Sequence, residues 1–346
     1  MTTSILCRAV AVLFGSLVIC SSVSAADTSH AATQRWKIGG PGGWDYLTAD
    51  SAARRLYVTR GDRVVVLDAD SGKSVGEIAH TEGVHGVALA PELGRGFTSN
   101  GRSNSITVFD LKTSSTLQEI KVDAENPDAI LYDPATQRVF TFNGRSANVS
   151  AFEAKTGKAL GNIAVSGKPE FAVSDEHGRI YVNIEDKSEL TAIDPKTLKV
   201  VASWPLKDCE EPTGLAIDTA HHRLFSVCQS QKMIVTDSAD GHEVASVAIG
   251  KGPDAAAFDA DRHLIFSSNG DGTLTVVHED DPNHYHVTEN VETQKSARTL
   301  ALDGKTHRIF LAAAEFGTAP AATAEQPHPR PPMVADSFTI LVVGEK

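Results

Sequence analysis

The sequence is short of cysteine, of positive charge and of long apolar runs, and each shortage removes a class of protein. Four cysteines in 346 residues are too few for a fold stapled together by disulfides. Lys and Arg number 32 against 44 Asp and Glu, a formal charge of -12. That balance disfavours nucleic acid as a partner, because phosphate affinity needs a basic face. It equally disfavours an anionic membrane surface. Beyond residue 25 no apolar run approaches the roughly 20 residues that a membrane-spanning helix requires. Amphipathic helical stretches are missing as well, so an all-β chain is expected. Absent too are a Gly-x-Ser-x-Gly elbow, a phosphate loop, a His-Glu-x-x-His pair and a haem attachment motif.

The first 25 residues read as a signal peptide. Arg8 supplies the positive region, Ala9 to Ile19 the apolar run, and Val23-Ser24-Ala25 the small-residue cleavage site before Ala26. Leu17-Val18-Ile19-Cys20 departs from a lipoprotein signal at Ile19, where a small residue is needed, so a periplasmic or secreted protein is expected. Cleavage leaves Cys209 and Cys228, which an oxidising compartment would pair; the alternative is two separate buried thiols. Residues 26–33 are small and polar, and are expected to be disordered. Gln34 to Ile38 then reads as one short strand, followed by the turn Gly39-Gly40-Pro41-Gly42-Gly43.

From Trp44 onward the chain repeats. One position is filled in turn by Trp44, His85, Pro127, Pro169, Pro212, Pro253 and Ala297, at spacings of 41, 42, 42, 43, 41 and 44 residues. Six residues later stands a turn residue: Asp50, Pro91, Asp133, Asp175, Asp218, Asp259 and Asp303. An aromatic-bearing strand follows each time, as in Leu56-Tyr57-Val58, Val139-Phe140-Thr141 or Ile265-Phe266-Ser267. A third strand often closes on an acid, as in Val66-Leu67-Asp68, and a fourth follows a polar turn. A period near 42 with four short strands per unit predicts a seven-bladed β-propeller spanning residues 34–346. The first strand of each unit is rich in small residues, as in Gly86-Val87-Ala88-Leu89-Ala90, which suits the crowded axis of such a ring.

The Tyr57-Val58-Thr59 run, the Gly/Asn turns after such strands and the recurrent Pro at blade openings resemble the YVTN family of β-propeller repeats, found in exported, YncE-like bacterial proteins. The match is looser in blade 5, with Phe225-Ser226-Val227-Cys228, and in blade 7, with Phe310-Leu311-Ala312-Ala313. The resemblance implies a binding or interaction role and would also allow DNA binding, which the acidic balance ranks last.

The last unit ends after its third strand, Phe338 to Val343. The orphan strand at 34–38 is therefore expected to complete blade 7 and close the ring. Between the second and third strands of that blade lies an insertion, residues 315–336, rich in Ala and Pro. Its segment Gln326-Pro327-His328-Pro329-Arg330-Pro331-Pro332 is expected to be extended. Propeller topology puts this connection on the same face as the blade openings, as a lid over the axial mouth or as a mobile decoration.

The residue after each blade opening faces that mouth and reads Asp45, Gly86, Asp128, Glu170, Thr213, Asp254 and Arg298, with Trp44 and His85 beside them. Converging carboxylates must protonate, pair with Arg298, stay hydrated or bind a cation. A divalent cation such as calcium would find oxygen ligands at Asp128, Glu170 and Asp254. An amine, a sugar or a protein partner are the other candidate occupants, and a wet mouth lined by ordinary turns is the bland one. Two functions follow. One is a binding module using Trp44, Asp45, His85, Asp128, Glu170, Asp254 and Arg298, monomeric and without catalysis. The other is a metal-dependent hydrolase or lactonase that adds Asn183 or Asn269 to the carboxylates. Asn100, Asn143, Asn183 and Asn269 otherwise read as turn residues that tolerate positive φ. Arg60, Arg102 and Arg145 lie in the same region, to balance the carboxylates or to contact an anionic partner. Arg60-Gly61-Asp62 looks like an adhesion tripeptide but falls in a blade turn. His221, His222, His263 and His307 fall on the opposite face and read as turn or surface residues, while His284 and His286 share one side of an outer strand, a weak metal signal.

Overall fold

A computed structural model describes residues 29–323 and 329–346. Seven four-stranded antiparallel sheets are arranged as the blades of a ring, in strand order along the chain for six of them. Blade 1 comprises Leu47–Asp50, Arg55–Thr59, Arg63–Asp68 and Ser74–Ala79. Blades 2 to 6 open at Val84, Pro127, Pro169, Pro212 and Pro253. Blade 7 combines Thr299–Asp303, Arg308–Ala313 and Thr339–Glu345 with a strand from the other end of the chain, His30–Lys37. That closing strand runs antiparallel to the last one, from His30 opposite Glu345 to Lys37 opposite Thr339.

The closing strand begins at His30 rather than Gln34, so residues 30–33 are ordered strand and not a disordered tail. Their small polar side chains carry no hydrophobic signal. Order comes from backbone pairing to Thr339–Glu345 and from His30, whose main-chain N–H and Nδ1 both meet Glu289. The proposed leader, residues 1–25, lies outside the described residues. Among the described residues no helix is long and apolar enough to cross a membrane.

The core lies between blades. Tyr57, Phe97, Phe140, Tyr181, Phe225, Phe266 and Phe310 take the same place in successive second strands, and all are buried. Each such ring contributes about 1.5–3 kcal/mol by leaving water, and the ring repeats the contribution blade by blade. The Asp that ends many first strands caps the following turn, as where Asp133 Oδ2 accepts the Thr136 N–H at 3.0 Å. In that turn Arg54, Gln137, His222, His263 and His307 all hold positive φ, so several recurrent histidines fill a left-handed position that His tolerates.

The asparagines at the ends of second strands are not positive-φ turn residues. Asn100, Asn143 and Asn269 are fully buried strand residues. Asn143 Oδ1 accepts from Thr141 Oγ1 at 3.0 Å, and its Nδ2 donates to Asn148 Oδ1 and Ser150 Oγ at 2.8 Å each. Asn100 and Asn269 make the same hydroxyl–amide–hydroxyl bridge to their third strands. Asn183 stands one residue earlier and instead donates to the Thr213 and Gly214 carbonyls. The bridging position is held by Arg60 in blade 1 and by Cys228 in blade 5. Cys228 forms a disulfide with Cys209, with 5.3 Å between their Cα atoms. Such a bond fits an oxidising compartment.

Arg60 closes the ring. Its side chain is fully buried and lies 3.7 Å over the Phe338 ring. Its guanidinium donates to the carbonyls of Gly39, Gly40, Pro41 and Gly42, the loop that follows the closing strand. A buried Arg60 cannot serve an adhesion tripeptide. Nearby, Gly72 at φ 70° leaves room for the Trp36 ring where any Cβ would stand, docking the closing strand on blade 1.

Candidate functional site

The blade openings and the connections between second and third strands share one face, and the acidic positions gather there around the axis. Asp45 is positioned by its N–H, which donates to Thr59 Oγ1 at 3.0 Å. Asp45 Oδ2 then meets His85 Nδ1 at 2.6 Å, and Asp128 Oδ1 lies 3.5 Å from the same nitrogen. Lys168 Nζ stands 3.1 Å from Glu170 Oε2 and also pairs with Glu185. Arg298 Nη1 meets Asp254 Oδ2 at 2.8 Å. Each carboxylate of the mouth is thus matched by a cationic or protonatable side chain of its own or a neighbouring blade. The structure groups Asp128 with Asp45 and His85, whose ligand atoms lie within 4.8 Å of one another. Glu170 and Asp254 are outside that set. Asn183 and Asn269, the supplementary ligands of a lactonase reading, are buried and hydrogen-bonded elsewhere.

Electrostatics follow from burial. Desolvation, reinforced by Asp45 and opposed by His85, pushes Asp128 up to about 6. Burial together with the Asp128 charge pushes Glu170 up to about 8, against the pull of Lys168. Burial pushes Asp254 up to about 7 despite Arg298. His85 is half-buried, and the desolvation lowers its proton affinity, yet Asp45 and Asp128 outweigh this and raise it. Near neutral pH the mouth therefore keeps Glu170 largely and Asp254 partly protonated, so it holds carboxyls that an added cation would ionise.

Three participants escape a reading of the repeat. Tyr46 is buried at the axis, edge-on to Phe171 at 5.3 Å. Its hydroxyl is raised well above the usual range by burial and then by Glu170, Asp128, Asp45 and Asp254, so it sits among all four acids. The signal was one of contrast, since most other blades place Val, Ala or Gly at this point (Val87, Ala129, Gly214, Ala255). Lys168 and Glu185 flank the blade 4 opening and carry no motif.

Beside the axis the face opens into a cleft of about 760 Å³ over blades 1 to 3, lined by Trp44, Asp45, His85, Arg102, Arg145 and Arg330 among others. Among the described residues these three arginine side chains have no ion-pair partner, unlike Arg298. Arg330 belongs to the blade 7 insertion. The base of that insertion is a narrow stem, with Phe316 bridged to Met333 and the Gly317 N–H donating to Pro332 at 2.9 Å. Phe316 lies 6.1 Å from the Trp44 ring, so the stem stands beside the mouth. The segment 324–328, including Gln326, Pro327 and His328, lies outside the described residues.

On the opposite face His221 and His263 do more than decorate turns, since they approach each other and Glu279. On the outer hairpin of blade 6 His284 and His286 do not act together: His286 shares Asp280 with His278, and His284 bonds Asp281.

No protein-family model matches the sequence, and no curated protein matches it. Among solved structures, the chain is similar to the hydrazine synthase of Kuenenia stuttgartiensis, with a TM-score of 0.70 over 78% of this chain and 92% of that chain, at 15% identity. A likeness at that identity concerns the fold alone. The chain is a seven-bladed β-propeller whose acidic mouth is read from its own residues.

Proposed function

We propose that the chain is an exported propeller of the YVTN type that works as a binding module, taking a ligand with a cationic group at the acidic mouth. The gathering of Asp45, Asp128, Glu170 and Asp254 around one mouth carries this reading, because a ligand cation would favour the ionised form of carboxyls that desolvation and mutual repulsion keep protonated beside His85, Lys168 and Arg298. The flanking cleft adds an aromatic wall at Trp44 and three guanidinium groups, suited to the anionic end of a zwitterion such as a basic amino acid or peptide. The repeat motif Tyr57-Val58-Thr59, the Cys209–Cys228 bond and the leader-like first 25 residues support export.

Thermal-shift titration with a cationic, a zwitterionic and an anionic small-molecule set tests it. Diamines or lysine-bearing dipeptides are expected to raise the melting temperature, and Asp45→Asn to remove the effect. Stabilisation by anions alone, or by none of the three sets, would overturn the assignment.

A second reading, a cation-dependent hydrolase, is favoured by the Asp45, His85 and Asp128 grouping. In that case calcium or another divalent ion would stabilise the protein and a chelator would reverse it. His85 already bridges both carboxylates, so the binding-module reading comes first.

A further inference from the structure

We propose that the face opposite the acidic mouth carries a divalent transition-metal site, of the zinc class, built by Asp218, His221 and Glu279 with His263 as fourth donor. Asp218 and His221 come from the turn between the first and second strands of blade 5. His263 comes from the corresponding turn of blade 6, and Glu279 from the third strand of blade 6, Thr273–Asp281. The site thus joins two blades.

Glu279 is the pivotal observation. Its side chain is 1% exposed, and Oε2 has no hydrogen-bond partner. That oxygen faces His263 Nδ1 at 3.5 Å and His221 Nδ1 at 3.7 Å, both too long for good hydrogen bonds. A buried carboxylate oxygen aimed between two imidazole nitrogens, and bonded to neither, is costly unless something sits between them. Around a four-coordinate zinc with bonds of about 2.0–2.1 Å, neighbouring donors stand about 3.3 Å apart, close to both separations. The donor atoms of Asp218, His221 and Glu279 already lie within 4.8 Å of one another. Asp218 Oδ2 is hydrogen-bonded to His221 Nδ1 at 2.5 Å, a contact that an ion would replace by opening it slightly.

Two neutral imidazoles and two carboxylates balance a divalent charge, and the nitrogen donors select zinc-class ions over calcium or magnesium. The surroundings hold the donors in place. Glu279 Oε1 accepts from the Tyr285 hydroxyl at 3.1 Å, and its N–H donates to the His263 carbonyl at 2.9 Å. Arg223 Nε donates to the Pro282 carbonyl at 2.7 Å, fixing the blade 6 hairpin over blade 5. A small cavity bordered by His221, His263 and Glu279 opens to solvent beside them. Four protein donors make a closed, structural site that would staple the two blades. The neighbouring set His278, Asp280 and His286 is more exposed, and both its histidine Nδ1 atoms already bond Asp280, so it serves as the control.

The test is zinc titration of untagged, chelator-treated protein against a chromophoric competitor, paired with thermal melts. One equivalent is expected to bind with submicromolar affinity and to raise the melting temperature. Glu279→Gln and His263→Asn are each expected to weaken binding at least about tenfold. Asparagine tolerates the positive φ of His263, which keeps that variant folded. His286→Ala should leave the affinity unchanged. The proposal is overturned by the absence of stoichiometric binding, or by binding that survives Glu279→Gln and His263→Asn, whatever His286→Ala does.

Discussion

Glu170→Gln tests the electrostatics of the mouth directly. Glu170 is held at about 8 in the folded ring by burial and by Asp128, against an ordinary 4.5. A raised carboxyl contributes stability that is fully present below the unfolded value and is lost as pH rises through the folded one. At about 1.4 kcal/mol per tenfold change, ionising it costs the native state up to about 5 kcal/mol. The unfolding entropy of a ring this size, at about 2.1 cal/mol/K per residue, is about 0.65 kcal/mol/K, so the full penalty is worth about 8 °C in melting temperature. Glutamine imitates the protonated acid and carries no penalty. Glu170→Gln is therefore expected to melt within about 1 °C of the parent at pH 4.5 and several degrees above it at pH 9. Asp254, raised to about 7, loses stability over the same window in both proteins, while Asp128 interacts with Glu170, so the difference between the curves reports Glu170 together with its repulsion of Asp128. Melts recorded at half-unit pH steps read the effect. A difference that is constant with pH, or a variant less stable than the parent at pH 9, would mean that Lys168 keeps Glu170 charged and satisfied throughout, and the argument fails.

Other features lead to separate expectations. Replacing Cys209 and Cys228 by Ser opens a loop with a separation of 19 residues and should cost about 3 kcal/mol in denaturant melts, matched by reductant on the parent protein. Asn143→Ala strands the hydroxyls of Thr141 and Ser150 and the Asn148 amide, at about 2–3 kcal/mol by the same assay, whereas a surface asparagine would cost almost nothing. Removing the closing strand through Lys37 should lower the melting temperature markedly and expose the 339–345 edge. Size-exclusion chromatography would show self-association, and an unchanged monomer would refute the role of that strand.

Much of the ring is legible in the sequence because each blade repeats the same local demands: small residues near the axis, an aromatic in the second strand, Asp at the turn. Asp45, Asp128, Glu170 and Asp254 stand out because the repeat assigns them one face. What the repeat cannot display is a contact between unlike positions. Tyr46 matters through three-dimensional proximity to acids from blades 1, 3, 4 and 6. Glu279 meets His221 and His263 only because the blade 6 hairpin folds over its neighbour. His30 is invisible for another reason: backbone pairing at the ring's seam orders residues with no apolar pattern. The asparagines misled because Asn serves turns and buried bridges equally well, and only the facing hydroxyls of Thr107, Ser150 and Thr275 decide between them.

The grip of Arg60 on residues 39–42, together with the stacking of its guanidinium on Phe338, has a temporal meaning. The first strand of the ring to be synthesised pairs only with the last, roughly three hundred residues later, so it must wait through the whole of translation. Until then both seam edges stay open, and a partly made chain carries two surfaces able to add a foreign strand. Arg60 has the Gly39–Gly42 carbonyls within its own end of the chain, but with no acidic partner it gains its covering ring only when Phe338 arrives. It works as a latch that registers completion, so a chain truncated anywhere before Phe338 would keep its beginning unfastened.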